Sequence, residues 1–176
     1  MTMELGMLIL QVTIGLLLAG HGAQKLFGWF GGHGLAGTTA WLDGMGLRPA
    51  RFWALVAGLA EFGGGMLTAL GLFHPMGPLA IIAAMLAAIA LVHWQNGLWI
   101  SKGGGEYNLV LIAVAAVLGL AGPGPYALDR VFGIALPQPQ SFWIGLVAVL
   151  IGLAVALLGR RPAAAGQPAQ PAGGSA

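Results

Sequence analysis

A polytopic all-α membrane bundle is the fold class this sequence predicts, and three observations carry the prediction. Hydrophobic residues make up 58% of the 176 positions and charged residues only 7%, far from the balance of a water-soluble domain. Five segments approach the roughly 20 apolar residues a spanning helix needs. The basic residues between them fall mainly on one side, as a membrane topology requires. The net charge of +2 comes with no basic stripe for phosphates, which excludes nucleic acid as a partner. The chain has no cysteine, and this removes disulfide exchange, thiolate nucleophiles, iron–sulfur ligation and thiolate zinc sites.

The first apolar stretch, 5–25, follows a start with no positive leader region and no convincing cleavage pattern, so it reads as a retained helix. The second, 53–73, carries Glu61 in its middle. The third, 76–94, is reached across His74 and Pro75, with room only for a tight turn. The fourth, 107–121, is the shortest; starting it at Glu106 and allowing some tilt or local thinning makes it sufficient. The fifth is 142–159. Between the first two spans, Leu35, Trp41, Leu42, Met45 and Leu47 alternate with glycines, threonines and Asp43, a mixture that suits a short interfacial helix. Trp29, Trp41, Trp53, Trp94 and Trp99 fall near the same boundary and read as interfacial anchors rather than a binding cage. Residues 162–176 are mostly Ala, Gly, Pro and Gln, cannot bury enough surface to fold, and read as a disordered tail. The expected organisation is a bundle over 1–125, a loop over 126–141, a fifth spanning helix over 142–161 and the tail.

Lipid offers no hydrophobic force between helices, so packing must rest on small residues. The pairs Ala19 and Ala23, Ala54 and Gly58, Ala60 and Gly64, and Gly152 and Ala156 have the required four-residue spacing. The run Gly63, Gly64, Gly65 fits either a close-packing face or a flexible point. With five spans, Lys25, Arg48, Arg51, Lys102, Arg160 and Arg161 lie on one side and only Arg130 on the other, which predicts the N-terminus outside and the C-terminus in the cytoplasm.

An acidic residue at the centre of a spanning helix costs roughly 2.5–3.5 kcal/mol, so Glu61 should face a bundle interior or polar cavity and have a partner. At 1.5 Å per residue it lies roughly 15 Å in from Arg51, as the floor of a site at the inner end. His21, Gln24 and Lys25 share a face of the first helix by their spacing. His93 lies at the inner end of the third helix, and Glu106 and Asn108 at the start of the fourth. Each also has a plain structural reading. Lys25 and Glu106 fit an interfacial ion pair, Glu106 alone suits a helix N-terminus, and His21 and His93 fit interhelical hydrogen bonding better than metal ligation, for which no short His-x-x-x-His motif exists.

Four blocks in order resemble the DoxX family. They are His21-Gly22-Ala23-Gln24-Lys25-Leu26-Phe27-Gly28 with Gly31-Gly32, Ala60-Glu61-Phe62-Gly63-Gly64-Gly65, His93 with Asn96-Gly97, and Gly103-Gly104-Gly105-Glu106-Tyr107-Asn108-Leu109. The resemblance spans 5–121 and implies a four-helix membrane bundle in a bacterial cell membrane, here with a fifth helix appended. Relatives of the family's namesake include a small membrane subunit associated with thiosulfate:quinone oxidoreductase, and other members are described as oxidoreductases or as parts of complexes handling oxidative stress.

The leading functional expectation is therefore a component of a quinone-linked or oxidative-stress redox system. Glu61, His21 and His93 would handle protons, and Lys25, Gln24, Glu106 and Asn108 would bind the substrate. No metal or covalent cofactor is expected. The bound molecule would be a quinone, and electrons would pass through a soluble or membrane partner. The lipid bilayer and a second copy of the chain complete the expected partners. The alternative is a non-enzymatic scaffold or small-solute transport module, in which the polar cluster serves packing or permeation.

The topology is directly testable because the chain is naturally free of cysteine. A single cysteine at Ser101 should react with impermeant reagent only from the cytoplasmic side and one at Gln138 only from outside; the reverse pattern overturns the orientation.

Overall fold

The structure, a computed structural model, describes residues 2–161, and the tail expected at 162–176 lies outside them. The described residues contain seven α-helices and no strand: α1 (Thr2–Phe27), α2 (Gly34–Gly44), α3 (Ala50–Leu70), α4 (Met76–Ala88), α5 (Glu106–Ala121), α6 (Leu128–Phe132) and α7 (Gln140–Leu158). The third span runs past α4 as a π turn at Ile89–His93 and a 3-10 turn at Trp94–Asn96. Each expected span is present with ends shifted by a few residues, and α2 occupies the place of the expected interfacial helix.

Four of these helices are long and apolar enough to cross a membrane, whereas α5 has only 16 residues. At about 24 Å it falls short of a typical hydrocarbon core. Its neighbours nonetheless show that it crosses the same layer as α4. Its start, at Gly105, lies against Ile89 and His93, and its end, at Gly119, lies against Pro78 and Phe142. The N-terminus of α1, the turn at 71–75 and the 122–139 segment thus share one end of the bundle. The α2 region, the 97–105 loop and the C-terminal end of α7 share the other, which carries Lys25, Arg48, Arg51, Lys102, Arg160 and Arg161.

Backbone contact joins α1 to α3. A Cβ on Gly15 would strike Gly65 O and Ala69, and one on Gly22 would strike the backbone of Phe62. The glycine run in α3 is helical throughout: Gly65 faces Gly15 and Ala19 of α1, while Gly64 faces Ala80 of α4. It is a packing face on two sides rather than a flexible point. Gly58 likewise lies under Leu26, and Ala54 is fully buried, so these small residues are used within the chain. The main apolar core forms where α1, α4, α5 and α7 meet, around Leu18, Ile81, Ile82, Leu111 and Phe142.

The segment expected to be a plain loop at 126–141 instead holds α6 and a buried carboxylate. Gly71 ends α3 in the left-handed conformation, and Gly71 N and Leu72 N then donate to Thr68 O and Leu67 O. Asp129 accepts from the next two free amides, Phe73 N at 2.7 Å and His74 N at 2.8 Å, while its own N–H donates to Gly71 O. His74, which has no assigned role in the sequence reading, is buried and lies 3.0 Å from Gly119 O through Nε2. A carbonyl can only accept, so Nε2 carries the proton. Asp129 and His74 together tie α6, the α3–α4 turn and the end of α5.

Burial pushes the His74 pKa down, outweighing the upward pull of its backbone hydrogen bond and of Asp129. Below the ordinary histidine value of about 6.5 the unfolded chain therefore takes up a proton that the folded one resists. Stability should rise with pH up to that value and fall on acidification. Melting in detergent across this range should show the loss, and His74→Gln should flatten it; an unchanged slope in the variant would assign the effect to other groups.

Candidate functional site

Glu61 sits on the face of α3 that meets α1, and Lys25 comes off the last turn of α1 opposite it. Lys25 Nζ donates to Glu61 Oε1 in a salt bridge that leaves the carboxylate side chain 6% exposed and the lysine 28%. The expected ion pair of Lys25 with Glu106 is thus replaced by one with Glu61. Glu61 Oε2 is buried and has no hydrogen-bond partner. A buried acceptor left unpaired costs about 1–3 kcal/mol, more when charged; among the described residues the side-chain amide of Gln138 is the other buried group without partners, and Glu61 is the charged one.

The first sequence block builds the lysine's side of the site. Gly28, at φ 74°, ends α1 in the left-handed region and turns the chain back. Gly32 then lies so close to Gln24 that a side chain there would collide with its backbone. Gln24 Nε2 donates to Phe30 O at 3.2 Å, and Thr38 of α2 donates to Lys25 O at 3.1 Å. Gln24 therefore holds the reversed loop, and α2 fixes the backbone that carries Lys25.

Lys25 and Glu61 border a chamber of about 250 Å³. Its walls are apolar. Ala57 and Ala60 come from α3, Ala84, Ala87 and Ala88 from α4, Leu91 and Val92 from the π turn, and Val149, Gly152 and Leu153 from α7. Trp41, Leu42, Leu47 and Trp53 close the end toward α2. Trp41 and Trp53, expected as interfacial anchors, are therefore also chamber walls. The π turn widens the last part of the third span, a distortion that recurs at functional sites.

The remaining expected site residues lie elsewhere. His21 is exposed on α1 and borders no part of the chamber. His93 Nδ1 donates to Gly103 O at 2.7 Å, and Asn96 Nδ2 donates to the same oxygen at 3.2 Å. Glu106 Oε2 accepts from Ile100 N at 2.9 Å, and Glu106 N donates to Leu98 O. These side chains fold the 97–105 loop. Asn108 is buried between α4 and α5, with Nδ2 3.3 Å from Met85 Sδ. The structure thus unites Lys25 and Glu61 and separates them from His21, His93, Glu106 and Asn108. Among the described residues no three His, Asp or Glu side chains converge as metal ligands do. The alanines of α4 and Gly152 are the part of the site that sequence reasoning passed over. Their signal was a run of small residues on two helices facing one carboxylate.

The DoxX family model matches residues 6–94, just over half of the chain. The chain belongs to the DoxX family. The match takes in the Lys25 and Glu61 blocks and ends at Trp94, so the Gly103–Gly105 block, α5 and α7 of this DoxX protein lie beyond it. No curated protein and no solved structure matches the chain.

Because Glu61 is nearly sealed, losing Lys25 strands its charge. Lys25→Met should cost about 3 kcal/mol, the low end for a buried pair because the lysine is partly exposed. Glu61→Gln should cost less, and the double variant should recover most of the loss. Detergent melting of the three variants measures the coupling; additive losses would mean that the pair is energetically idle.

Proposed function

We propose that this DoxX protein is the membrane subunit of a redox system and that the Lys25–Glu61 chamber receives the ring of a quinol or quinone. The single observation behind the reading is Glu61 Oε2, a buried acceptor without a donor at the edge of an apolar chamber. The site is charge-balanced, because Lys25 and Glu61 neutralise each other and no other charged side chain borders the chamber. A charged ligand would therefore bring an uncompensated charge among alanines and leucines. A neutral molecule with an apolar ring and a hydroxyl suits both walls and acceptor, and a quinol is one.

Oxidation of a quinol to a quinone releases two electrons and two protons. Glu61 would take the proton of the hydroxyl bonded to Oε2. The second proton would leave to water at the end where Lys25 is partly exposed. In the opposite direction Lys25 would donate a hydrogen bond to a quinone oxygen. The electrons would pass to a partner protein's redox centre, since the chain has no cysteine to carry them. The proton-handling role proposed from sequence for Glu61 is kept here, whereas His21 and His93 do not border the chamber and are given no part in it. The orientation read from the basic residues would set the chamber toward the cytoplasmic side of a bacterial membrane.

A scaffold that assembles partners through Ala54, Gly58 and Gly64 has less support, because all three are occupied within the bundle. The discriminating measurement is quinol oxidation by membranes in which a variant replaces the native chain. Glu61→Gln should stay folded and lose activity by at least about 100-fold, as expected for removal of a proton acceptor. Activity within twofold of wild type would refute the role of this carboxylate.

A further inference from the structure

We infer that α7 is the specificity wall of the chamber and that Gly152 sets its width; this rests on the reading of the chamber as a quinol site. The helix is pinned at both ends. Near its start, Phe142 is buried against Gly119, and a Cβ on Gly145 would run into the Leu79 side chain. Near its finish, Ala156 packs with Leu42, Leu47 and Ala54, Arg160 Nε donates to Met45 O at 2.6 Å, and Arg161 N donates to Gly46 O at 2.8 Å.

Leu146 and Val149 carry the packing onward from Gly145, and beyond them, at Gly152, the helix stands off. Gly152 is seven residues, about two turns, beyond Gly145 and so on the same face. A Cβ built on it meets no atom within 4 Å. The four-residue pair Gly152 and Ala156, expected to be a packing face, therefore divides: Ala156 packs and Gly152 fronts the chamber. The alanines of α4 opposite it leave the remaining width. No local demand for a left-handed backbone explains glycine at 152, since the position lies inside a regular helix where glycine costs about 1 kcal/mol against alanine. What distinguishes it from other open helical glycines such as Gly20 and Gly63 is its place in the chamber wall, where a side chain would take up width.

The occupant's shape follows. A chamber of about 250 Å³ is smaller than the roughly 300–1,000 Å³ pockets that enclose whole drug-sized ligands, so it holds a headgroup and not a long chain. Val56 of α3 and Gly152 of α7 border the chamber and are themselves exposed, which places an opening between the two helices. At that depth the surroundings are lipid. The ring would enter sideways from the bilayer with its hydroxyl toward Glu61, and the apolar tail would stay in the opening.

Full-length protein in lipid nanodiscs can be tested with two probes, decylubiquinol, whose hydroxyl sits on a ring, and dodecanol, whose hydroxyl sits on a bare chain. Wild type should bind both. Gly152→Phe, whose Cβ meets no neighbour within 4 Å, should weaken decylubiquinol by at least about tenfold, keep dodecanol and melt no lower than wild type. Gly152→Ala should give a smaller loss in the same direction and guards against misfolding of the larger variant. Unchanged decylubiquinol binding in Gly152→Phe overturns the role of α7 while leaving the quinol reading intact. Dodecanol binding without decylubiquinol binding in wild type overturns the quinol reading. Binding of neither probe refutes both.

Discussion

Direct backbone contact between α1 and α3 is the constraint on which the rest of this bundle depends. Gly15 and Gly22 of α1 and Gly65 of α3 allow no side chain at their crossing, and the two helices approach as closely as helices can. In a lipid environment such contacts replace the hydrophobic force that drives packing in water. They also fix register. With Gly22 seated on Phe62, Lys25 stands one turn away on the same helix and its ammonium reaches Glu61. A carboxylate that would be intolerable in lipid becomes affordable because the glycines bring its counter-charge to it.

The pair is satisfied unequally, and this asymmetry separates a structural bridge from a site. A purely structural carboxylate in an apolar bundle should use both oxygens, because each unmet lone pair weighs against folding. Asp129 shows that solution within the same chain: both of its oxygens accept backbone amides. Glu61 spends one oxygen on Lys25 and leaves the other buried without a partner, on a residue that borders the chamber. Of the two buried acids, one has both oxygens satisfied and the other only one.

The spans and their grouping at two ends were legible in the sequence, because runs of apolar residues and the placement of Lys and Arg report on the bilayer directly. Glu61 was legible as a carboxylate turned into the bundle and in need of a partner for the same reason, since a lone acid among apolar neighbours has no cheap explanation. The identity of its neighbours was not. His93, Asn96 and Glu106 are polar and lie at the correct end, yet their hydrogen bonds go to a loop backbone whose course no spacing rule gives. Asp129 escaped notice because α6 is a five-residue helix among prolines and glycines, where periodicity has no length to act on. The chamber itself is a place where atoms are missing. Alanines and a glycine line it, and only the empty space around Gly152 marks it off from a packed face.

The two ends of the bundle are built to different stiffness, and the position of the chamber follows from that. At one end Asp129, His74 and Gly119 join three elements through buried hydrogen bonds, with Phe142 packed against them. At the other, the third span loosens into π and 3-10 turns, and the 97–105 loop is held by partly exposed hydrogen bonds. Local opening concentrates where buried contacts are few and backbone bonds meet solvent, so the third span's last turns and the 97–105 loop are the yielding part of that end, while α7 stays tied to the α2 region through Arg160 and Arg161. A chamber at the stiff end would be permanent but hard to reach. The chamber lies between α3 and α7 toward the looser end, while Asp129 and His74 hold the α3–α4 turn against α5 and α6 at the other.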